Sequence, residues 1–289
     1  MVSIVVSSYK EQYFTSFETN VGKTIGLPYE IIKIDNPGLM GICEAYNKGA
    51  RMAKYEILCF AHEDIEMVTP DWGRIIQRYF EQDTNLGVVG IAGSQYKSFA
   101  PSGWQPGMGD DFIHCNLLQA YTYSEKDTEL IYMNPSKEKF PKVVCVDGVW
   151  FCTKKSIVLE HPFDEDTFQN FHCYDLDFSL SLFGKYDLRV TYDVLLKHYS
   201  EGNYGNPLWV EESIKLYRKW QHKAPFQIVS VPPKKSRSVE LATFIGFISM
   251  MRHSKYSHRK IRQSLATRQF FKTLDLKNIL KVYRSMISL

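Results

Sequence analysis

The stretch YEILCFAHEDIEM, residues 55–67, decides how the rest of the chain is read. Its first half is a short apolar run without helical spacing, the mark of a strand buried on both faces. Directly after that run come His62, Glu63, Asp64 and Glu66. Open α/β sheets take their ligands at the carboxyl ends of strands, so this one stretch points to a fold and to a site. Upstream, VSIVVS at 2–7 and YEIIKI at 29–34 are two further β-branched runs, the second ending in the turn Asp35-Asn36-Pro37-Gly38. Between them Phe14, Phe17, Val21 and Ile25 step at helical spacing, and Ile42, Ala45, Tyr46, Gly49, Ala50 and Ala53 do so before residue 55. Downstream, Thr69-Pro70-Asp71 reads as a helix start and LGVVGIA at 86–92 as a fourth strand. Alternating strands and helices predict an α/β fold, a Rossmann-like, mostly parallel sheet with helices on both faces.

Beyond residue 93 the pattern changes. Residues 94–140 carry Gly, Pro and single aromatics (Trp104, Tyr121, Tyr123) with weak periodicity, and read as a long functional loop or lid. VVCVDGVWFC at 143–152 returns to strand, interrupted by Asp147-Gly148. A helix is expected over 168–183, ended by Gly184, then one or two strands over 186–196 and a helix over 207–220.

The composition supports a folded enzyme-sized core: 289 residues, 44% hydrophobic and 23% charged, which excludes a disordered polymer. No apolar run reaches the roughly 18 residues of a membrane span. The start lacks a basic region before its apolar run and is not expected to be a signal peptide. Six cysteines in no paired spacing, most of them in apolar runs, read as core thiols of a reducing, cytoplasmic chain, with no zinc site. The net charge of +3 hides an asymmetry: residues 230–289 hold 13 Lys and Arg against 2 acids, and residues 1–229 hold 22 against 30. The tail starts at a linker-like Pro232-Pro233-Lys234-Lys235. It continues with Ile261, Leu265, Phe270 or Phe271, Leu274, Ile279, Val282 and Ile287 at spacings that suit amphipathic helices. Two readings stand side by side: basic helices lying on an anionic membrane at its inner face, or helices packed on the body with a solvated basic face. With an acidic body and no recognised module, nucleic acid is not an expected partner.

Three clusters carry candidate chemistry. In an extended chain His62, Asp64 and Glu66 point to one side, where carboxylates suit a magnesium- or manganese-like cation on a diphosphate; equally, they suit a solvated loop. Asp175 and Asp177 stand in an apolar helical stretch, where one acid can serve as a general base reaching into the crevice; the other reading is that one caps the helix start and the other faces water. Two helical residues apart means about 200° of rotation, so both cannot face one crevice. His198 follows the last strand, as a neutral imidazole ligand or as an ordinary surface histidine. Trp150 and Trp104 are candidates to cover a sugar ring, with core packing the other reading of Trp150.

Taken together, SIVVSSYK, the IDN turn, EAYNKGARMAKYE, CFAHEDIEM followed by TPDW, VDGVWFCTKKSI, FDEDTFQNFHCYDLDFSLSLFGK and KHYSEGNYG resemble the inverting nucleotide-sugar glycosyltransferases of family 2, over about residues 1–222. The likeness is closest to bacterial members acting in polysaccharide or lipopolysaccharide assembly at the cell envelope. It implies the GT-A fold over 1–222, with 223–289 a basic, helical C-terminal extension. The family's Asp-x-Asp motif falls on His62-Glu63-Asp64, where His62 replaces the first Asp and Asp64 keeps the second. Its Glu-Asp motif falls on Tyr174-Asp175, where Tyr174 replaces Glu and Asp175 keeps the expected base. The resemblance implies a divalent cation, Mn2+ or Mg2+, on Asp64 and His198. It also implies that Ser7, Tyr9, Asp35, Asn47, Lys48, Glu63 and Asp64 bind the donor, with UDP favoured. Trp150 and Asp177 would lie by a saccharide or lipid-linked acceptor. The departures at His62 and Tyr174 motivate an alternative, a nucleotide-sugar-binding or scaffold protein with impaired turnover.

Overall fold

The computed structural model describes residues 1–121, 126–200 and 205–287, so Tyr123 and residues 201–204 of the last motif lie outside the described residues. In chain order the first elements are β1 (Val2–Ser8), α1 (Glu11–Thr24), β2 (Tyr29–Asp35), α2 (Ile42–Met52), β3 (Ile57–Ala61), β4 (Ile65–Met67), α3 (Trp72–Gln82), β5 (Leu86–Gly90), β6 (Ala92–Ser94), β7 (Tyr96–Lys97) and β8 (Ile113–Gln119). Next come β9 (Glu129–Met133), β10 (Lys142–Val143), β11 (Cys145–Val146), β12 (Trp150–Lys154), α4 (Lys155–Glu160), α5 (Tyr174–Leu182), β13 (Asp187–Val190) and β14 (Leu196–His198). The last are α6 (Pro207–Trp220), β15 (Phe226–Gln227), α7 (Pro233–His253), α8 (His258–Leu265), α9 (Arg268–Thr273) and α10 (Leu276–Ile287).

The main sheet has the order β10-β13-β5-β12-β3-β1-β2. β1 is parallel to β2 and β3, β13 is parallel to β5, and β12 runs antiparallel between β3 and β5. This is the expected mostly parallel α/β sheet. β3 is buried along its whole length, as its unbroken apolar run requires, and β1 at every residue but Ser7, with Ser3 and Ser8 buried among its apolar residues. Among the helices that cover the sheet, α1 buries Phe14, Phe17 and Val21. α2 lies so close to β1 that a Cβ on Gly49 would sit 2.2 Å from Val5 Cγ1; only glycine lets the two backbones meet there.

A second sheet, in the order β11-β6-β8-β14-β4 with β9 on the edge of β8, corrects the reading of 94–140 as a lid. β8 is in the middle of this sheet and its first five residues are buried. A strand covered on both faces has no period-of-two signal, so its sequence looks irregular. A second correction concerns the helix expected over 168–183. Regular helix starts only at Tyr174, after Cys173 turns the chain at φ 63°. Asp175 and Asp177 therefore occupy the first turn, where free backbone N–H groups favour acids, and not a helix interior.

The tail packs on the body. Phe244, Phe247, Ile248 and Met251 of α7 share one apolar cluster with Phe99, Trp209, Ile214 and Tyr217, and Ile261, Leu265, Phe270 and Val282 join it. Phe271, the other option in that pattern, is exposed. Pro233 is no linker: it opens α7, where its missing N–H costs nothing. Glu240, buried in α7, clasps the body by accepting from Tyr96 Oη (2.6 Å), Ser98 Oγ (2.7 Å), Phe99 N (3.1 Å) and Ala100 N (3.0 Å). All six cysteines are buried and unpaired, and among the described residues no helix is long and apolar enough to cross a membrane.

Candidate active site

Strand register assembles the site. β12 pairs with β3, Trp150 opposite Ala61, and His62 N donates to Val149 O at 3.1 Å, so the Asp147-Gly148 interruption lies against His62. β14 pairs with β4, His198 opposite Ile65, and Tyr199 N donates to Asp64 O at 3.0 Å, so His198 lies against Asp64. α5 begins beside Gly148, whose N–H donates to Asp175 Oδ2 at 2.9 Å. These groups open into one cavity of about 900 Å³ at the carboxyl ends of β1 and β3. Ser7, Tyr9, Asp64, Asp175 and His198, five of the residues expected to act, line it together.

Burial, and next the charge of Asp147, raise the Asp175 pKa to about 7; the backbone N–H groups of Leu176 and Gly148 hold it from going higher. A carboxylate so placed is a stronger base than a solvated one. Burial lowers the pKa of His198, with the Asp64 charge acting in the opposite direction, so its imidazole is neutral near pH 7.

His62, Asp64 and His198 form the one group of possible metal ligands among the described residues, their ligand atoms within 4.8 Å of one another. His62 Nδ1 and His198 Nε2 stand 3.9 and 3.8 Å from the same oxygen, Asp64 Oδ1. Those gaps are too long for hydrogen bonds, and His198 Nε2 is buried without a hydrogen-bond partner. Ligands about 2.1 Å from a shared cation stand about 3.0 to 4.2 Å apart, from adjacent to opposite positions. The two imidazoles and the carboxylate therefore fit a divalent transition-metal cation such as manganese, and suit magnesium, which takes oxygen ligands, much less. Glu66, the third residue of the alternating set, turns away and accepts from Tyr199 Oη at 2.7 Å.

Other expected residues are placed elsewhere. Glu63 is buried behind the site, its Oε1 accepting from Tyr9 N (3.1 Å) and Lys10 N (3.0 Å); it shapes the loop after β1 and does not face the cavity. The Asn47 amide is consumed by Phe163 O (2.8 Å), Phe163 N (3.0 Å) and Glu165 (2.8 Å). Lys48 is exposed on α2, outside the cavity lining. Asp35 is exposed and paired with Lys33 at 2.9 Å; its neighbour Asn36 lines the cavity instead. Trp150 is 1% exposed and packs edge-on against Trp72 in the core. Asp177 is buried against α6, bound to Lys219 Nζ (2.8 Å) and Trp220 Nε1 (2.7 Å).

Asn36, just after β2, lines the cavity as its place after a strand suggests, whereas sequence reading missed Asp147 and Phe171 as cavity residues. For Asp147 a signal existed, since Asp-Gly breaks a buried strand. The two positions that depart from the motif patterns, His62 and Tyr174, turn out to touch: Nε2 and Oη are 2.9 Å apart.

Sheet order, cavity position and the clustered acid and histidines define a protein of the GT-A glycosyltransferase class. Residues 3–201 match the model of the Glycosyltransferase like family, and the chain belongs to that family. A structure of GalNAc-T7 with UDP, GalNAc and Mn2+ is similar at 10% identity and TM-score 0.51, covering 94% of this chain; the chain spans 55% of that one. S. aureus TarS 1-349 aligns at 11% identity and TM-score 0.48, over 99% of this chain and 81% of the other. A197 from STIV aligns at 13% identity and TM-score 0.39, over 69% and 86%. No curated protein sequence matches the chain.

Proposed function

We propose that the chain transfers a sugar, with inversion, from a nucleoside diphosphate sugar of the UDP type to a hydroxyl of a saccharide or lipid-linked saccharide. The observation that carries this reading is the meeting of Asp64, His198 and Asp175, from three distant stretches, in one cavity. Ser7, near the end of β1, and Tyr9, on the loop that follows, contact the nucleotide, and Glu63 holds that loop in place through the amides of Tyr9 and Lys10. Asp64, His198 and His62 hold the divalent cation, which when bound neutralises negative charge growing on the departing diphosphate. Asp175 accepts the proton of the acceptor hydroxyl as that oxygen attacks the anomeric carbon. One displacement needs no covalent intermediate on the enzyme, and holding the two substrates in line contributes much of the rate. Phe171, half exposed on the cavity wall, offers a ring face to the acceptor, whereas Trp104 lines the cavity from within the core and is almost wholly buried. The GalNAc-T7 structure, which holds UDP and Mn2+, supports the choice of donor and cation.

We take 1–222 as the catalytic part and 223–289 as its extension. Much of the apolar surface of the extension is used on the body, while Phe271, Leu276 and Leu280 are exposed, so contact with an anionic membrane would use these together with outward Lys and Arg side chains.

The test is a thermal-shift screen of nucleoside diphosphates with and without Mn2+, followed by transfer assays. UDP with Mn2+ should raise the melting temperature, and Asp64→Ala should remove that rise. Asp175→Asn should cut kcat by about 10²–10⁴ with nucleotide binding kept. Nucleotide binding without turnover of any donor would favour the scaffold reading instead.

A further inference from the structure

We propose that Tyr174 is a positioning residue: it fixes His62 with the ring proton on Nε2, and so presents Nδ1 as a bare lone pair to Asp64 and His198. The inference rests on the cation-binding reading above and adds which atom of His62 is the ligand and what decides it. Tyr174 Oη lies 2.9 Å from Gly148 O and 2.9 Å from His62 Nε2. A carbonyl oxygen cannot donate, so the hydrogen in the first contact is the phenol's own. The phenol has one hydrogen, so toward His62 it can only accept, and Nε2 must carry the ring proton. Nδ1 is then unprotonated, and it is the nitrogen that stands 3.9 Å from Asp64 Oδ1.

The surroundings hold this arrangement. The backbone of His62 is tied to Val149 O, and the ring of Phe171 lies 5.1 Å from the imidazole, centroid to centroid. A Cβ on residue 148 would fall 2.2 Å from Tyr174 Oη, so glycine is what lets the phenol reach the peptide. The N–H of the same glycine, in the preceding peptide unit, donates to Asp175 Oδ2. The two peptides that flank Gly148 therefore position the base on one side and, through Tyr174, the imidazole on the other. A non-ligand partner that orients a histidine ligand commonly contributes 10–100-fold in metal affinity.

The experiment measures Mn2+ binding to the full chain by electron paramagnetic resonance, with no donor or acceptor present. Tyr174→Phe removes only the hydroxyl and should weaken Mn2+ binding about tenfold. His62→Ala should weaken it at least as much, and adding Tyr174→Phe to His62→Ala should change nothing further. A second measurement needs no variant: long-range proton–nitrogen NMR of the histidines in the metal-free wild type should show His62 protonated at Nε2. Protonation at Nδ1 overturns the proposal, as does Mn2+ binding that Tyr174→Phe leaves within twofold. Wild-type protein that binds no Mn2+ ends the cation-binding reading as well, which separates the two failures.

Discussion

Glu240 makes a sharp test of how the C-terminal helices are attached. Its Oε1 accepts from Tyr96 Oη and Phe99 N, and its Oε2 from Ser98 Oγ and Ala100 N, all in a buried setting. Glu240→Gln keeps the shape and replaces one oxygen by an NH2 group. That group then faces a backbone N–H and a hydroxyl, so two charge-assisted bonds are lost, at about 1.5–3 kcal/mol each, and a buried amide N–H is left without an acceptor. The expected loss is about 3–5 kcal/mol, with part of the upper range recovered by rotation of the Ser or Tyr hydroxyl. At about 2.1 cal/mol/K per residue, 289 residues unfold with an entropy near 0.6 kcal/mol/K, so the melting temperature should fall by about 5–8 °C. Calorimetry reads this directly, and limited proteolysis should show cleavage in 228–289 before the body is cut. A fall of less than 2 °C would refute the claim that this carboxylate clamps α7 to the segment 96–100.

Four further outcomes follow from the geometry. Because Asp175 must be unprotonated to act and its pKa is raised to about 7, kcat/KM should rise about tenfold per pH unit below 7 and level off above it. Asp147→Asn removes a like charge that helps raise it, so the acid limb should move to lower pH; a limb that stays in place refutes the coupling. Asp177→Ala should cost about 1–3 kcal/mol, because Trp220 Nε1 loses its acceptor while Lys219 keeps Asp164; kcat and KM at low temperature should stay within twofold, and a large KM change for the acceptor would restore Asp177 to the acceptor site. Gly49→Ala should destabilise by about 1–3 kcal/mol in denaturant unfolding, and Val5→Ala in the same chain should recover part of the loss, because the new methyl group meets Val5 Cγ1.

The sheet was legible in the sequence because β1, β2 and β3 are local objects. Short β-branched runs between helical stripes report burial and period, which depend only on neighbours along the chain. The site was legible where strand ends carry acids, at Asp64, and where a motif resemblance pointed, at Asp175 and His198. β8 was not legible, because a strand covered on both faces carries no alternation, and neither was the late start of α5, set by a left-handed turn at Cys173.

Residue type and order alone determined that acids and histidines would stand at the ends of buried strands in an α/β body with a basic tail. Only the tertiary structure decided which of them share a cavity. Register places His198 beside Asp64 and Gly148 beside His62, across more than eighty positions of chain in each case. Packing between distant segments also turns Glu63, Asn47 and Asp177 inward, to backbone and ammonium partners. A side chain's direction is fixed by whatever packs against it from distant segments, and no local pattern records those contacts.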